Sequence, residues 1–272
     1  MRHRIAAIQM CSTDNVATNL AQAKQYIQQA VEDGARLIVL PENFAIMGLH
    51  PEDKVKYKEV FGQGMIQDFL HQQASQNNVW IVGGTLPLAV PQYDEKVYAS
   101  SLVFNDVGEC VARYDKIHLF DIALHAEKEI HQESQTISPG QNIIVFDSPL
   151  GKCGLAICYD IRFPELFRAM QEKGAELIVL PSAFTVPTGK AHWDILIRAR
   201  AIENQVYMIA AAQTGVHANQ RKTYGHSMIV NPWGSVSAVL KDDRGVVCAD
   251  IDLKFLHQLR RDFPVLNHKK YM

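Results

Sequence analysis

The chain reads as an α/β protein with two pseudo-symmetric halves, and three observations carry that reading. The run Gly34-Ala-Arg-Leu-Ile-Val-Leu-Pro-Glu-Asn-Phe44 returns as Gly174-Ala-Glu-Leu-Ile-Val-Leu-Pro-Ser-Ala-Phe184. The copies lie much too far apart for a solenoid period, so they imply two structural halves. Each copy also closes a strand-helix-strand unit. Finally, polar and reactive side chains stand just past the apolar runs, where open α/β sheets place ligands and chemistry.

In the first unit, Arg4 to Met10 is a strand, Asn15 to Asp33 a helix and Leu37 to Leu40 a strand. The second repeats this order with Lys152 to Ile157, Pro164 to Lys173 and Leu177 to Leu180. Pro164 opens its helix and Gly174 stops it. Such crossovers are right-handed and make their strands parallel, so both strands of a unit finish at one sheet edge. Between the units come a helix from Gly62 to Asn77 and strands from Val79 to Thr85 and Tyr98 to Phe104. Glu109 to Arg113 alternates like a strand and runs into Tyr114 to Asp121. After the second unit follow a helix from Ala191 to Asn204 and a strand from Val206 to Ala212. Met228 to Val230 and Val236 to Val239 flank Asn231-Pro-Trp-Gly234, where Pro and Gly suit a hairpin turn. An amphipathic helix, Leu253 to Arg261, sets Phe255, Leu256 and Leu259 on one side and Arg260 and Arg261 on the other.

With 272 residues and no Pro/Gly/Ser linker, residues 1–272 are expected to form a single domain. A net charge of -2 and the lack of a basic tract argue against nucleic acid. The apolar run after Met1-Arg-His-Arg4 is too short for a secretory signal, and no stretch approaches bilayer length, so no membrane is expected. Five cysteines, odd in number and without Cys-x-x-Cys, fit reduced thiols and a cytoplasmic location. Gly83-Gly84 lacks the context of a nucleotide loop and is explained by close backbone packing. His125, Glu127, Glu129, His131 and Glu133 match no zinc spacing and read, Glu133 apart, as a solvated loop or short helix. Neither a metal nor another cofactor is expected.

Three groups share one position in this scheme: Glu42, Lys116 and Cys158 each follow a strand end. A thiol is a poor nucleophile until ionised; a carboxylate beside it accepts its proton, and an ammonium favours the resulting anion. That combination opens a covalent route to amide carbonyls, with Lys116 and the Tyr159 backbone N–H facing the oxyanion. Cys158 is also followed by His226 and Asn231, the order of a papain-like thiol site, but that reading leaves Glu42 and Lys116 without a purpose. A non-catalytic binding protein on the same fold is a further alternative, against which the intact trio argues.

Pro41-Glu42-Asn43, the Lys116 segment and Ile157-Cys-Tyr-Asp-Ile-Arg-Phe-Pro-Glu165 resemble the three signature motifs of the nitrilase superfamily of carbon–nitrogen hydrolases, in the family's order. The resemblance spans essentially the whole chain. It implies an α-β-β-α sandwich, homodimers or higher homo-oligomers stacked through helical faces, and a Glu-Lys-Cys triad without a cofactor. By that resemblance Glu42 is the general base, Lys116 the oxyanion stabiliser and Cys158 the nucleophile, while Glu133 positions the lysine. Pro181 to Phe184, Gly189 to Trp193, Arg198 to Asn204 and Tyr224 to Met228 are similar to the branch that holds deaminated-glutathione amidases and omega-amidases, the former favoured by Ala211 to His217 with Arg221 and Tyr224. Lys190 departs from that branch, which usually has Pro there. The implied substrate is a small amide, with Tyr159, Phe184, His192, Trp193 and Arg221 as candidate contacts. Arg221 is the candidate reader of a distal glycine carboxylate, because such a group calls for a forked cation.

Overall fold

The computed structural model describes residues 2–124 and 129–270. Its first half runs β1 (Arg2–Gln9), α1 (Val16–Glu32), β2 (Leu37–Val39), α2 (Asp53–Lys56), α3 (Met65–Asn77), β3 (Trp80–Val82), β4 (Leu86–Val90), β5 (Tyr93–Phe104) and β6 (Cys110–Asp115). Two short antiparallel strands, β7 (Asp121–Leu124) and β8 (Glu129–Gln132), follow. The second half runs β9 (Val145–Ser148), β10 (Gly151–Leu155), α4 (Pro164–Glu172), β11 (Leu177–Ser182), α5 (Val186–Asn204) and β12 (Tyr207–Ala212). Then come β13 (Thr214–Val216), β14 (Lys222–Tyr224), β15 (Ser227–Val230), β16 (Val236–Leu240), β17 (Gly245–Asp252) and α6 (Leu253–Asp262).

One sheet has the order β17-β1-β2-β3-β5-β4 with β6 on β5, and the other β16-β15-β12-β11-β10-β9. In each, the echoed strand lies centrally between parallel neighbours: β2 between β1 and β3, β11 between β10 and β12. Successive side chains of a strand point to opposite faces, and β1 shows what that achieves. Ile5 and Ala7 join the core shared with the second sheet, whereas Ala6 and Ile8 pack with α1 residues such as Leu20, Ala23 and Ile27. Strands buried on both faces read as continuous apolar runs, which is why they were visible in the sequence. On the second sheet α4 and α5 contribute Phe167, Met170, Trp193 and Ile197 to the core. The layers are therefore helix, sheet, sheet, helix, as the family resemblance implied.

Three departures from the sequence reading have physical causes. β4 was missed because Pro87 interrupts its apolar run, and a proline is tolerated there because β4 is an edge strand. α5 starts at Val186 instead of Ala191, with Pro187 in its first turn, where the missing N–H costs nothing. The halves are also not closed units: β17 returns to the first sheet and pairs with β1 from Gln9–Gly245 to Arg2–Asp252.

Candidate active site

Glu42 follows β2 at the edge where the parallel strands end, and its loop is held from both sheets. Asn43 adopts a positive φ of 57° and donates its backbone N–H to Thr85 Oγ1 at 2.7 Å. Gly84, at φ +52°, lets the neighbouring loop approach so closely that a Cβ there would lie 2.1 Å from the Pro41 carbonyl oxygen. From the second sheet, Gln213 donates to the Glu42 carbonyl at 2.9 Å. The backbone bearing the carboxylate is thus gripped on both sides, and Glu42 is 3% exposed.

β6 runs in the same direction as β3, because each is antiparallel to β5, so Lys116 emerges at that same edge. Its ammonium donates to Glu42 Oε1 at 2.8 Å and to both Glu133 carboxylate oxygens at 2.9 and 2.7 Å. The Phe120 N–H donates to Glu133 as well, at 2.8 Å. Lys116 is 1% exposed. Burial opposes its charge, yet Glu133 and Glu42 outweigh burial and hold the ammonium far above the ordinary lysine range. Burial likewise works against ionised Glu133, but Lys116 and the more distant Lys54 hold its carboxyl below the usual range. One ammonium is thus shared between two buried carboxyl groups.

Cys158 begins a short 3-10 helix three residues beyond the end of β10, with a positive φ of 47°. Such a conformation is strained for a non-glycine residue and persists where its surroundings impose it. Asp160, fully buried, does so here. Its Oδ2 accepts the Ile157 N–H at 2.8 Å and the Tyr114 hydroxyl at 2.7 Å, while Oδ1 accepts the His118 N–H and faces Nδ1 of that imidazole at 2.7 Å. Arg200 of α5 caps the same turn through the Ile161 carbonyl at 2.9 Å. Burial pushes the Cys158 thiol up and the Glu42 charge pushes it further; Lys116 and the Ala183 N–H oppose this without overturning it. The resting group is therefore a protonated thiol. The Tyr159 N–H lies at the start of the turn, where helical N–H groups lack intrahelical acceptors, and donates to no acceptor among the described residues.

These residues line a cavity of about 640 Å³. Glu42, Lys116, Glu133, Cys158, Tyr159, Phe184 and Arg221 all reach it. His192 and Trp193 do not. Trp193 is 1% exposed and spends its indole N–H on the His226 carbonyl at 2.8 Å, edge-on to Phe184, so it packs outside the cavity lining. His192 is exposed and lies 3.2 Å from Arg162, outside the lining residues. His226 stacks on Tyr224 in a separate cleft, and Asn231 caps its own hairpin turn, so neither meets Cys158. His125 and Glu127 lie outside the described residues; of their cluster, Glu133 is committed to Lys116. Sequence reasoning missed Asp160, although it lies inside the Cys158 run, and Lys54, which lines the cavity from α2.

A carboxylate, an ammonium and a thiol held together in this way can attack an amide carbonyl and stabilise the resulting oxyanion. Comparison with known proteins agrees. Residues 4–261 match the carbon-nitrogen hydrolase family model. The chain is 40% identical over 271 residues to a deaminated glutathione amidase of Yersinia enterocolitica, covering 98% of this chain and 93% of that one. It is 41% identical to the Dictyostelium discoideum protein of the same name, covering 98% and 94%. Among solved structures, Saccharomyces cerevisiae Nit3, a member of branch 10 of the nitrilase superfamily, superposes with a TM-score of 0.88 at 32% identity, over 99% of this chain and 97% of that one. The fold, the edge-of-sheet trio and these relatives converge: the chain belongs to the carbon–nitrogen hydrolases of the nitrilase superfamily and is a hydrolase acting on amides.

Proposed function

We propose that this enzyme hydrolyses the amide of deaminated glutathione to 2-oxoglutarate and cysteinylglycine through a thioester on Cys158, a metabolite-repair reaction. The observation that carries the mechanism is the Lys116 ammonium clamped between Glu42 and Glu133 in the cavity that Cys158 lines. Because the resting thiol is protonated, the nucleophile forms only as Glu42 takes its proton during attack. The sulfur adds to the carbonyl carbon, and the oxyanion is met by Lys116 and the Tyr159 N–H. Glu42 returns the proton to the amine as the C–N bond breaks, leaving the acyl thioester. Water, activated by Glu42, then attacks the thioester, releases the acid and restores the thiol. These steps use side chains, backbone and water alone.

The names of the relatives support the substrate, and so does the charge of the walls. Lys54, Arg162, Arg221 and Lys222 line the cavity beside the buried trio, which favours an anionic amide. The test is kcat/KM for deaminated glutathione against 2-oxoglutaramate. We expect a preference of about tenfold or more for the former, worth about 1.4 kcal/mol of transition-state discrimination. A preference of that size for 2-oxoglutaramate would make the enzyme an omega-amidase instead.

We also propose that residues 1–272 work as one catalytic domain, that the enzyme is a homodimer or higher homo-oligomer, and that it acts in the cytoplasm. Exposed Ile195, Ile202, Trp233 and Phe263 on α5, the β15–β16 turn and the segment after α6 support the second point. Five unpaired cysteines support the third. Among the described residues no helix is long and apolar enough to cross a membrane.

A further inference from the structure

Lys54 and Arg221 line the cavity, and among the described residues neither has a counter-ion. Lys54 lies on α2, and its carboxylate neighbour Asp53 is already taken by Lys56 at 2.7 Å and the His50 N–H at 2.9 Å. Among the described residues the Lys54 side chain makes neither an ion pair nor a hydrogen bond, although it lines the cavity and is half-buried. Arg221 donates one N–H to the Ala183 carbonyl at 2.6 Å, while its Nε is buried without an acceptor. Asn219 ties the two supporting loops together: its Oδ1 accepts the Arg221 N–H at 3.0 Å, and its Nδ2 donates to the Gly48 carbonyl at 2.9 Å, on the loop leading to α2. Leaving the Arg221 Nε buried without an acceptor is costly, and an anion held between it and the unpaired Lys54 ammonium removes that cost.

We propose that Lys54 and Arg221 form a carboxylate clamp on the leaving-group side of the cavity, binding the terminal carboxylate of an amide whose amine half is a short peptide. The side follows from Glu42. That carboxylate protonates the departing amine, so the leaving group lies beside it, and the charges that act on Lys54 are those of Glu133, Glu42, Lys116 and Arg221. Arg162 is engaged differently, over the rings of Tyr159 and Phe184 and beside His192. Burial lowers the Lys54 amine from the ordinary lysine range, and Lys116 and Arg221 add to this against the pull of Glu133 and Glu42. An arriving carboxylate reverses that cost. The clamp rests on the proposed substrate and adds to it: it explains why a dipeptide leaving group is chosen over ammonia, which has nothing for the clamp to hold.

The experiment is steady-state kinetics of the full chain with three amides: deaminated glutathione, the same compound with its glycine carboxylate as a methyl ester, and 2-oxoglutaramate. For Lys54→Met and for Arg221→Ala we expect KM for deaminated glutathione to rise by about tenfold or more with kcat changed by less than about threefold, because ground-state binding is removed. The loss on 2-oxoglutaramate is expected to be much smaller, and Lys54→Arg should retain most of the affinity. Wild-type enzyme should lose a similar factor on the ester, and Lys54→Met should lose little more on it, since one interaction cannot be removed twice. Equal losses on deaminated glutathione and 2-oxoglutaramate, or fully additive losses for Lys54→Met and the ester, would overturn the clamp while leaving the amidase and its substrate intact. Wild-type turnover of 2-oxoglutaramate alone would instead remove the proposed substrate, and the clamp with it.

Discussion

The ammonium of Lys116 has two duties, and its removal separates them. Lys116→Met should lower kcat by about 10²- to 10³-fold, the usual loss when an oxyanion donor goes. It should also strand two buried carboxylates that now share one cation, at about 3–5 kcal/mol of stability. Turnover of the folded fraction and a denaturant titration measure the two effects; near-normal kcat would return the lysine to a purely structural role. The protonated state of Cys158 makes a second prediction. Burial and Glu42 both hold the thiol above its ordinary range, so its proton must move as the sulfur attacks. The single-turnover acylation rate should therefore fall in D₂O; an inverse effect or none would indicate a thiolate formed beforehand. The trio was legible in the sequence because each member follows a strand end. Lys54 was not, because it sits among Glu52, Asp53, Lys56 and Lys58 and reads as one more solvated charge; only the fold turns it inward. His192 and Trp193 lie outside the cavity lining for a related reason: a sequence cannot show which side of a helix meets the cavity and which meets the core.

At the level of elements, the internal echo gains a purpose. Its first copy ends β2 and delivers Glu42; its second ends β11 and delivers the Ala183 N–H that faces the Cys158 sulfur. The two strand ends therefore meet at one reaction centre. Gly84 shows how finely the first is set. Gly84→Ala puts a Cβ against the Pro41 carbonyl and an L side chain at positive φ, a strain of about 1–3 kcal/mol. We expect a lower melting temperature together with a kcat loss larger than the stability change explains, because the displaced loop carries the base. Unchanged kinetics in this variant would show that the Glu42 loop tolerates the shift. The sequence marked Gly83-Gly84 as a place of close packing but could not say against what, since Pro41 is distant in the chain. The edge strand β4 and the late return of β17 to β1 escaped for similar reasons: a proline masked one, and the other is fixed by a partner at the opposite end of the chain.

Across the whole molecule, both sheets bury both faces, and the second half leaves apolar side chains exposed on α5 and the β15–β16 turn. Ile195 is 66% exposed and Trp233 59%. Covering that patch with a second copy is the proposed assembly, and Ile195→Glu should shift the mass measured by light scattering toward the monomer; an unchanged mass would place the contact elsewhere. The account as a whole stands on a covalent thioester at a single sulfur. Its most direct test is acid-quenching the wild-type enzyme during turnover of deaminated glutathione, followed by intact-protein and peptide mass spectrometry, with Cys158→Ala as the comparison. Alanine nearly fills the thiol's space, so that variant should fold. The account predicts a 2-oxoglutaryl adduct on Cys158, removable by hydroxylamine, and neither adduct nor turnover in Cys158→Ala. An adduct on another residue, or continued hydrolysis by the folded alanine variant, would contradict it.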